Sequence, residues 1–508
     1  MLRRARLVGV FLGGLFGAAL WGTTPAMAEP APSVAGVRAR LRLEVGRSDG
    51  MWVAPLHDEG VALIHHDTQG QRDLWRVVLF DRSFKERGRH ILDVPLGLTR
   101  LAYAVEGRSL HLALSSPSRT PRPQLVMLPL DGAPPTVLSM DARGKTGAVV
   151  DLVVVGGDAY ARAMRKGRGR LLHTRLDSGE TRVVPPPAIV GQKPKVMGLV
   201  RSQAGDQVDA TSRSRGGPSV VAVAGYRGGL ETSLRIVDPH PWGNWVGDVR
   251  RSTLDDGLEV LVGTYSAAGG SGAQGLFLAR YNGAVPVGTD THAFADFDGF
   301  FDHMREAKRE RVQRRARRKR AKGKELGLGL GVLLHPIVEQ DGRFLVTGEA
   351  FYPEFKTRTQ RTTVWIDGVA QTQSVVVQEF VGFRRTHAFT AAFDRTGERL
   401  WESSLPMGDV LTMDLRRRVR VQAEGDDVRL RYVYGNRVVS RGVGASGENT
   451  RVVETLSDGD GWRPGNSDSA WWYGNTFLAW GFNKVRDGSK PGKQRVFFMA
   501  ALDGSTAD

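Results

Sequence analysis

Short strand-forming runs, each closed by a tight-turn signal, recur along almost the whole chain and constrain its fold more than any other feature. Runs at 74–80, 125–130, 149–155, 220–225, 258–263, 276–281, 344–348, 375–381, 428–434 and 495–501 are strand-length and rich in Val, Leu, Phe or Tyr. At 428–434 the alternation is explicit. Val428, Leu430, Tyr432 and Tyr434 share one face, and Arg429 and Arg431 take the other. A recurring punctuation accompanies the runs: an apolar strand end, then Asp or Asn, then a turn. It stands at Phe80-Asp81, Leu130-Asp131-Gly132, Leu176-Asp177, Val237-Asp238, Tyr281-Asn282-Gly283, Phe393-Asp394 and Leu502-Asp503-Gly504. Asp, Asn and Gly suit such places because they stabilise tight turns. Several spacings are about 45–60 residues, the length of a four-stranded propeller blade with its loops.

The predicted fold is therefore all-β: a β-propeller of about seven four-stranded blades, with six or eight open, and one inserted basic α-helix. A β-sandwich or two smaller β domains is the competing architecture. The alternating segment 37–45 is placed to pair with the last blade and close the ring. Stretches 185–219 and 267–275 are dominated by small, polar and turn residues and read as loops.

The first 28 residues read as a secretory signal peptide. Arg3, Arg4 and Arg6 precede a 15-residue apolar run, and Ala26-Met27-Ala28 is a small-x-small cleavage site. The run is short for a bilayer span, which takes about 20 residues. The expected organisation is a signal peptide at 1–28 and a single propeller domain at 29–508, with the basic helix inserted at 296–325. Export to the periplasm, the cell surface or the medium follows, with no transmembrane segment in the mature chain. The chain has no cysteine, which excludes disulfides, thiol catalysis and thiolate metal sites.

The formal charge is +17, but it is local. Residues 305–324 hold twelve Lys/Arg and two Glu. Without that net +10 and the three leader arginines, +4 remains for the rest of the chain. In this segment Phe297, Phe300, Phe301 and Met304 recur at helical spacing as a docking face. Beyond Arg305 that face fades, so the helix is expected to project into solvent and to stop at Gly323. Arg311, Arg314, Arg315, Arg317, Arg318, Lys319 and Arg320 are the candidate anion- or partner-binding residues, because guanidinium forks suit phosphate and carboxylate. A solvated helix, or one resting on an acidic patch of its own body, explains the same charges. Export and the lack of interleaved aromatics argue against nucleic acid. A protein or an anionic envelope polymer is the partner class that remains.

His335, Glu349 and His387 fall on or beside predicted strands in one region and form a candidate divalent-metal site. A buried histidine with a satisfied hydrogen bond, and a carboxylate paired to Arg384 or Arg385, is the competing account. No nucleophile elbow, Walker loop, H-E-x-x-H or EF-hand loop is present, and no catalytic residue or organic cofactor is assigned. The reading is a non-enzymatic binding or scaffold module, with a propeller hydrolase or lyase acting at the channel mouth as the alternative.

Four patches in the C-terminal half carry a family likeness. They are Lys322-Gly323-Lys324-Glu325-Leu326; Leu334-His335 with Gly348-Glu349-Ala350-Phe351-Tyr352-Pro353; Thr386-His387-Ala388 with Phe393-Asp394-Arg395-Thr396-Gly397; and Trp472-Tyr473-Gly474-Asn475 with Phe477-Leu478-Ala479-Trp480-Gly481. Over about two fifths of its length the chain resembles a family of uncharacterised exported bacterial proteins, seen notably in Bacteroidota. The resemblance implies a secreted, propeller-like protein and transfers no activity.

Overall fold

The computed structural model describes residues 37–503, except 46–49, 68–73, 119, 142–146, 167, 187–193, 203–204, 214–219, 238–244, 267–271, 325, 341, 367–368, 409, 425–426, 436, 445–450, 457–466 and 487–492. The leader and most of the 267–275 loop lie outside the described residues. So do parts of the 185–219 stretch.

The strands form eight antiparallel sheets, numbered here in chain order. Sheets 1 to 5 span 50–92, 100–139, 148–184, 195–237 and 245–293. Sheet 6 spans 331–412, sheet 7 spans 420–455, and sheet 8 joins 468–503 to the N-terminal strand Val37–Glu44. Each is a four-stranded meander, and sheet 6 carries two additional short strands. The expectation was about seven blades, with six or eight open. The described residues show eight sheets. Buried apolar clusters join each sheet to the next. One packs Trp75 with Leu112 between sheets 1 and 2, and another packs Val433 with Phe477 between sheets 7 and 8. A further cluster packs Leu41, Leu63 and Phe497, which joins sheet 8 to sheet 1 and completes the propeller ring. As anticipated, Val37–Glu44 pairs antiparallel with Lys493–Asp503, Leu41 opposite Met499.

The Asp punctuation marks the turn after the third strand of a sheet. Asp81 Oδ1 accepts from Ser83 N at 2.8 Å, Ser83 Oγ at 2.7 Å and Lys85 N at 2.9 Å. Asp394 repeats this with Thr396 N at 2.9 Å, Thr396 Oγ1 at 2.7 Å and Glu398 N at 2.8 Å. Sheet 4 breaks the pattern by using Gly228 and Gly229, both at positive φ, so Asp238 misplaced that turn. In sheet 7 the same turn lies outside the described residues. The stretch 185–219 was expected to be a loop, yet Lys195–Arg201 and Val208–Arg213 are strands of sheet 4. Their polar composition hid a register that buries only Val196, Leu199, Val208 and Ala210 as apolar side chains.

Sheet 6 contains an unforeseen arm. Strands Arg343–Ile366 and Val369–Phe393 run on as a two-stranded hairpin, paired in register through Val369. Residues 355–363 and 372–380 are exposed along both strands.

The basic segment is shorter than expected and lies on the body. Phe294–Asp296 and Gly299–Phe301 are single 3₁₀ turns that bury Phe294, Phe300 and Phe301. Only then does helix α1 run, over Glu306–Arg320. Expected to project, α1 instead keeps one side against the body. Ala316 is buried, Val312 packs on the cluster between sheets 5 and 6, and Arg320 pairs with Asp296. Gly323 is the stop anticipated, at φ +65°. Its N–H bonds Arg320 O at 2.8 Å and that of Lys324 bonds Lys319 O at 3.0 Å, satisfying the last carbonyls.

Candidate functional site

In a four-stranded antiparallel meander the first strand begins, and the second and fourth end, on the same side. The starts of the eight first strands, the base of the arm and the inserted segment with α1 therefore share one face of the ring. Ionisable side chains converge there.

Glu349 is fully buried among them, with no exposure. Its Oε1 accepts from Arg418 N at 2.7 Å and Val419 N at 2.9 Å and lies 3.0 Å from His335 Nε2. Arg385 Nη1 donates to Oε2. Burial pushes this carboxyl up, but the His335 hydrogen bond and the Arg385 charge outweigh it and hold it below the usual carboxylate range. Both oxygens are committed to protein partners, so Glu349 fastens the start of sheet 7 to sheet 6.

His387 does not join that group. At the bulge between Ala350 and Phe351, Thr386 is the extra residue on its strand, since Ala350 faces His387 and Phe351 faces Arg385. The extra residue reverses the alternation, so Arg385 and His387 point to opposite faces. His387 stacks on His303 (4.2 Å between ring centroids) and meets the Phe300 ring edge-on at 4.4 Å. Of the proposed metal ligands, the structure brings together His335 and Glu349 alone. Among the described residues no group of three His, Asp or Glu is arranged to hold a metal ion.

Burial and then the His303 charge drive His387 well below the ordinary histidine value. His303 is lowered too, chiefly by burial. Both thus protonate less readily in the fold than in the unfolded chain, where they protonate near pH 6.5. Stability should therefore be full above about pH 6.5 and fall as acid is added toward the lowered native values. His387→Leu should flatten the melting temperature between about pH 6.5 and 5, measured against the parent chain. An unchanged slope would remove this pair from the acid response.

Around Glu349 the other mouth charges are mutually paired. Asp248 Oδ2 accepts from Arg250 Nη2 at 2.7 Å and from Leu334 N at 3.0 Å. Arg417 Nε donates to Leu334 O at 2.7 Å. Arg418 reaches Asp414 Oδ1 at 2.8 Å and Asp468 Oδ2 at 3.4 Å, and Arg420 reaches Asp468 Oδ1 at 3.1 Å. Burial raises Asp414, but the charges of Arg418 and Arg416 outweigh it, so its carboxyl lies below its ordinary value. Six guanidiniums (Arg250, Arg385, Arg416, Arg417, Arg418, Arg420) thus meet four carboxylates (Asp248, Glu349, Asp414, Asp468), leaving the mouth cationic. Beside them opens a cleft of about 470 Å³, lined by sheets 1, 2, 6 and 8 and the segment leading into sheet 7. Sequence reasoning overlooked this centre. Its signal was the run Arg416-Arg417-Arg418-Val419-Arg420, which a near-neutral remainder concealed.

α1 carries the second cationic surface. Arg311, Arg314, Arg315, Arg317 and Arg318 are exposed, Lys319 is half-buried, and none of the six has an ion-pair partner among the described residues. Arg320 pairs with Asp296 and Arg309 with Asp302 (3.1 Å).

No protein-family profile matches the chain, and no curated protein matches it. Among solved structures it is similar to the polysaccharide lyase Uly1, with 10% identity and a TM-score of 0.42 over 82% of this chain and 91% of that one. It is likewise similar to Chaetomium thermophilum Sqt1 bound to the N-terminus of ribosomal protein L10 (10% identity, TM-score 0.43, 90% and 98% covered). A prolyl endopeptidase matches at 12% identity and TM-score 0.35, over 85% of this chain and 53% of that one.

Proposed function

We propose that the chain is an exported, non-enzymatic propeller that binds an anionic envelope polymer through the outward side of α1. The observation that carries this reading is the row of arginines at 311, 314, 315, 317 and 318. They are exposed, without ion-pair partners among the described residues, and held by a helix whose other side is docked on the ring. A docked helix presents its charges in a fixed array, and arginine forks engage phosphate or carboxylate through paired bonds.

The hydrolase alternative, in the form that uses a carboxylic acid as proton donor, would need such a group kept protonated near neutrality beside the cleft. At the mouth, Glu349 and Asp414 are shifted the other way. Asp209 is pushed up to about 6 by burial, but it pairs with Arg251 at 3.4 Å and does not line the cleft.

Heparin serves as the test polyanion. The chain should be retained on immobilised heparin, and retention should fall steeply with salt as counterion release predicts. Replacing all five arginines by glutamine should move elution to much lower salt while leaving the melting temperature within a few degrees. Retention that ignores salt, or an unchanged elution position in the glutamine variant, would defeat the reading.

A further inference from the structure

The mouth cleft is a different surface from α1, and its lining has a chemistry of its own. Part of the lining is aromatic: Trp52 and Tyr103 come from the first strands of sheets 1 and 2, and Trp480 and Phe482 from sheet 8. None of the four is fully buried. Among these rings stand charged side chains, Asp414, Asp468, Arg416, Arg418 and Arg495, the last with its guanidinium 3.8 Å from the centre of the Phe482 ring. Asp468 sits directly across the strand pair from Trp480, so the two side chains are neighbours on one face of the sheet. Arg416 is more exposed than Asp414, Asp468 or Arg418: its side chain is 55% exposed and stands 3.8 Å from Asp414.

We infer that this cleft binds an acidic sugar unit, a pyranose bearing a carboxylate. Four features support that class. Flat aromatic faces in a partly open cleft offer an apolar platform to the flat, C–H-lined side of a sugar ring. Carboxylates only accept hydrogen bonds and guanidiniums only donate them, so a lining with both suits hydroxyl groups, which do both. A phosphate chain offers acceptors alone and would meet Asp414 and Asp468 as like charges. The excess of guanidinium over carboxylate at the mouth, with Arg416 turned to solvent, provides for the sugar's own carboxylate. The volume of about 470 Å³ falls in the range of small-molecule sites.

The experiment uses the full chain and a galacturonic acid trimer as probe, followed by tryptophan fluorescence and calorimetry, with maltotriose as the neutral control. Saturable binding with a dissociation constant below about 1 mM is expected for the acidic trimer, and weaker binding for the neutral one. Arg416→Gln, at an exposed position that leaves the core untouched, should weaken the acidic trimer about tenfold or more. Trp480→Ala should weaken it and reduce the fluorescence change. The α1 glutamine variant should bind the trimer as the parent does, which separates this site from the polymer-binding helix. The inference is overturned by no saturation up to about 10 mM, by equal affinity for maltotriose, by unchanged affinity in Arg416→Gln, or by loss of trimer binding in the α1 variant.

Discussion

Glu349→Ala is expected to destabilise the fold by about 3–5 kcal/mol, because it leaves the Arg385 guanidinium buried without its counter-charge. Arg385 and Glu349 are both at 0% side-chain exposure, so water cannot replace the lost partner. The same change frees the backbone N–H groups of Arg418 and Val419 and removes the acceptor facing His335. Each is a buried polar group that loses a bond. Chemical denaturation measures the effect. Glu379→Ala is the matched control, since its pair with Arg358 on the arm is exposed on both sides and should change stability by about 1 kcal/mol or less. Equal effects at the two sites would show that Glu349 is not the clamp between sheets 6 and 7.

The second large effect is expected at the ring closure. Leu41 has 0% exposure and packs with Leu63, Phe84, Trp472 and Phe497. Leu41→Ala should cost about 3–5 kcal/mol, the range for a large core side chain whose site cannot collapse. Removing the chain through residue 45 goes further. It bares the edge of Lys493–Asp503 along its pairing with Val37–Glu44 and strips one wall from the cluster that joins sheets 8 and 1. An unpaired edge of this length is a template for association. The truncated chain should lose its single unfolding transition and self-associate in sedimentation. A monomer with the parent's melting temperature would show that the ring closes without this strand.

Legibility in the sequence followed the range of the forces involved. The alternation at 428–434 and the Asp81 and Asp394 turns arise from neighbours a few residues apart, and they survived intact in the structure. The stop at Gly323 and the apolar anchor of Phe297, Phe300 and Phe301 were also local and also held. Expectations that needed distant contacts fared differently. The projection of α1 was judged from its own weak apolar face, yet Asp296 and the cluster between sheets 5 and 6 hold it down. The grouping of His335, Glu349 and His387 rested on their closeness along predicted strands; His387 pairs with Ala350, next to Glu349, and so faces the other side of the sheet, while the bulge at Thr386 turns Arg385 to the Glu349 side. The arm was read as a single ordinary strand at 375–381, because nothing in a run of valines tells how far its partner extends.

By itself the sequence determined an all-β chain, the position of most third-strand turns, the strand that closes the ring and the single basic insertion. These rest on side-chain periodicity and turn chemistry, which act within a few residues. Only the tertiary structure decided that the described residues form eight sheets, that Glu349 is locked by Arg385, and that Asp248, Glu349, Asp414, Arg418 and Asp468 meet at one mouth. Those residues lie up to 220 positions apart. Their encounter is set by how each sheet packs on the next, and no local pattern encodes that packing.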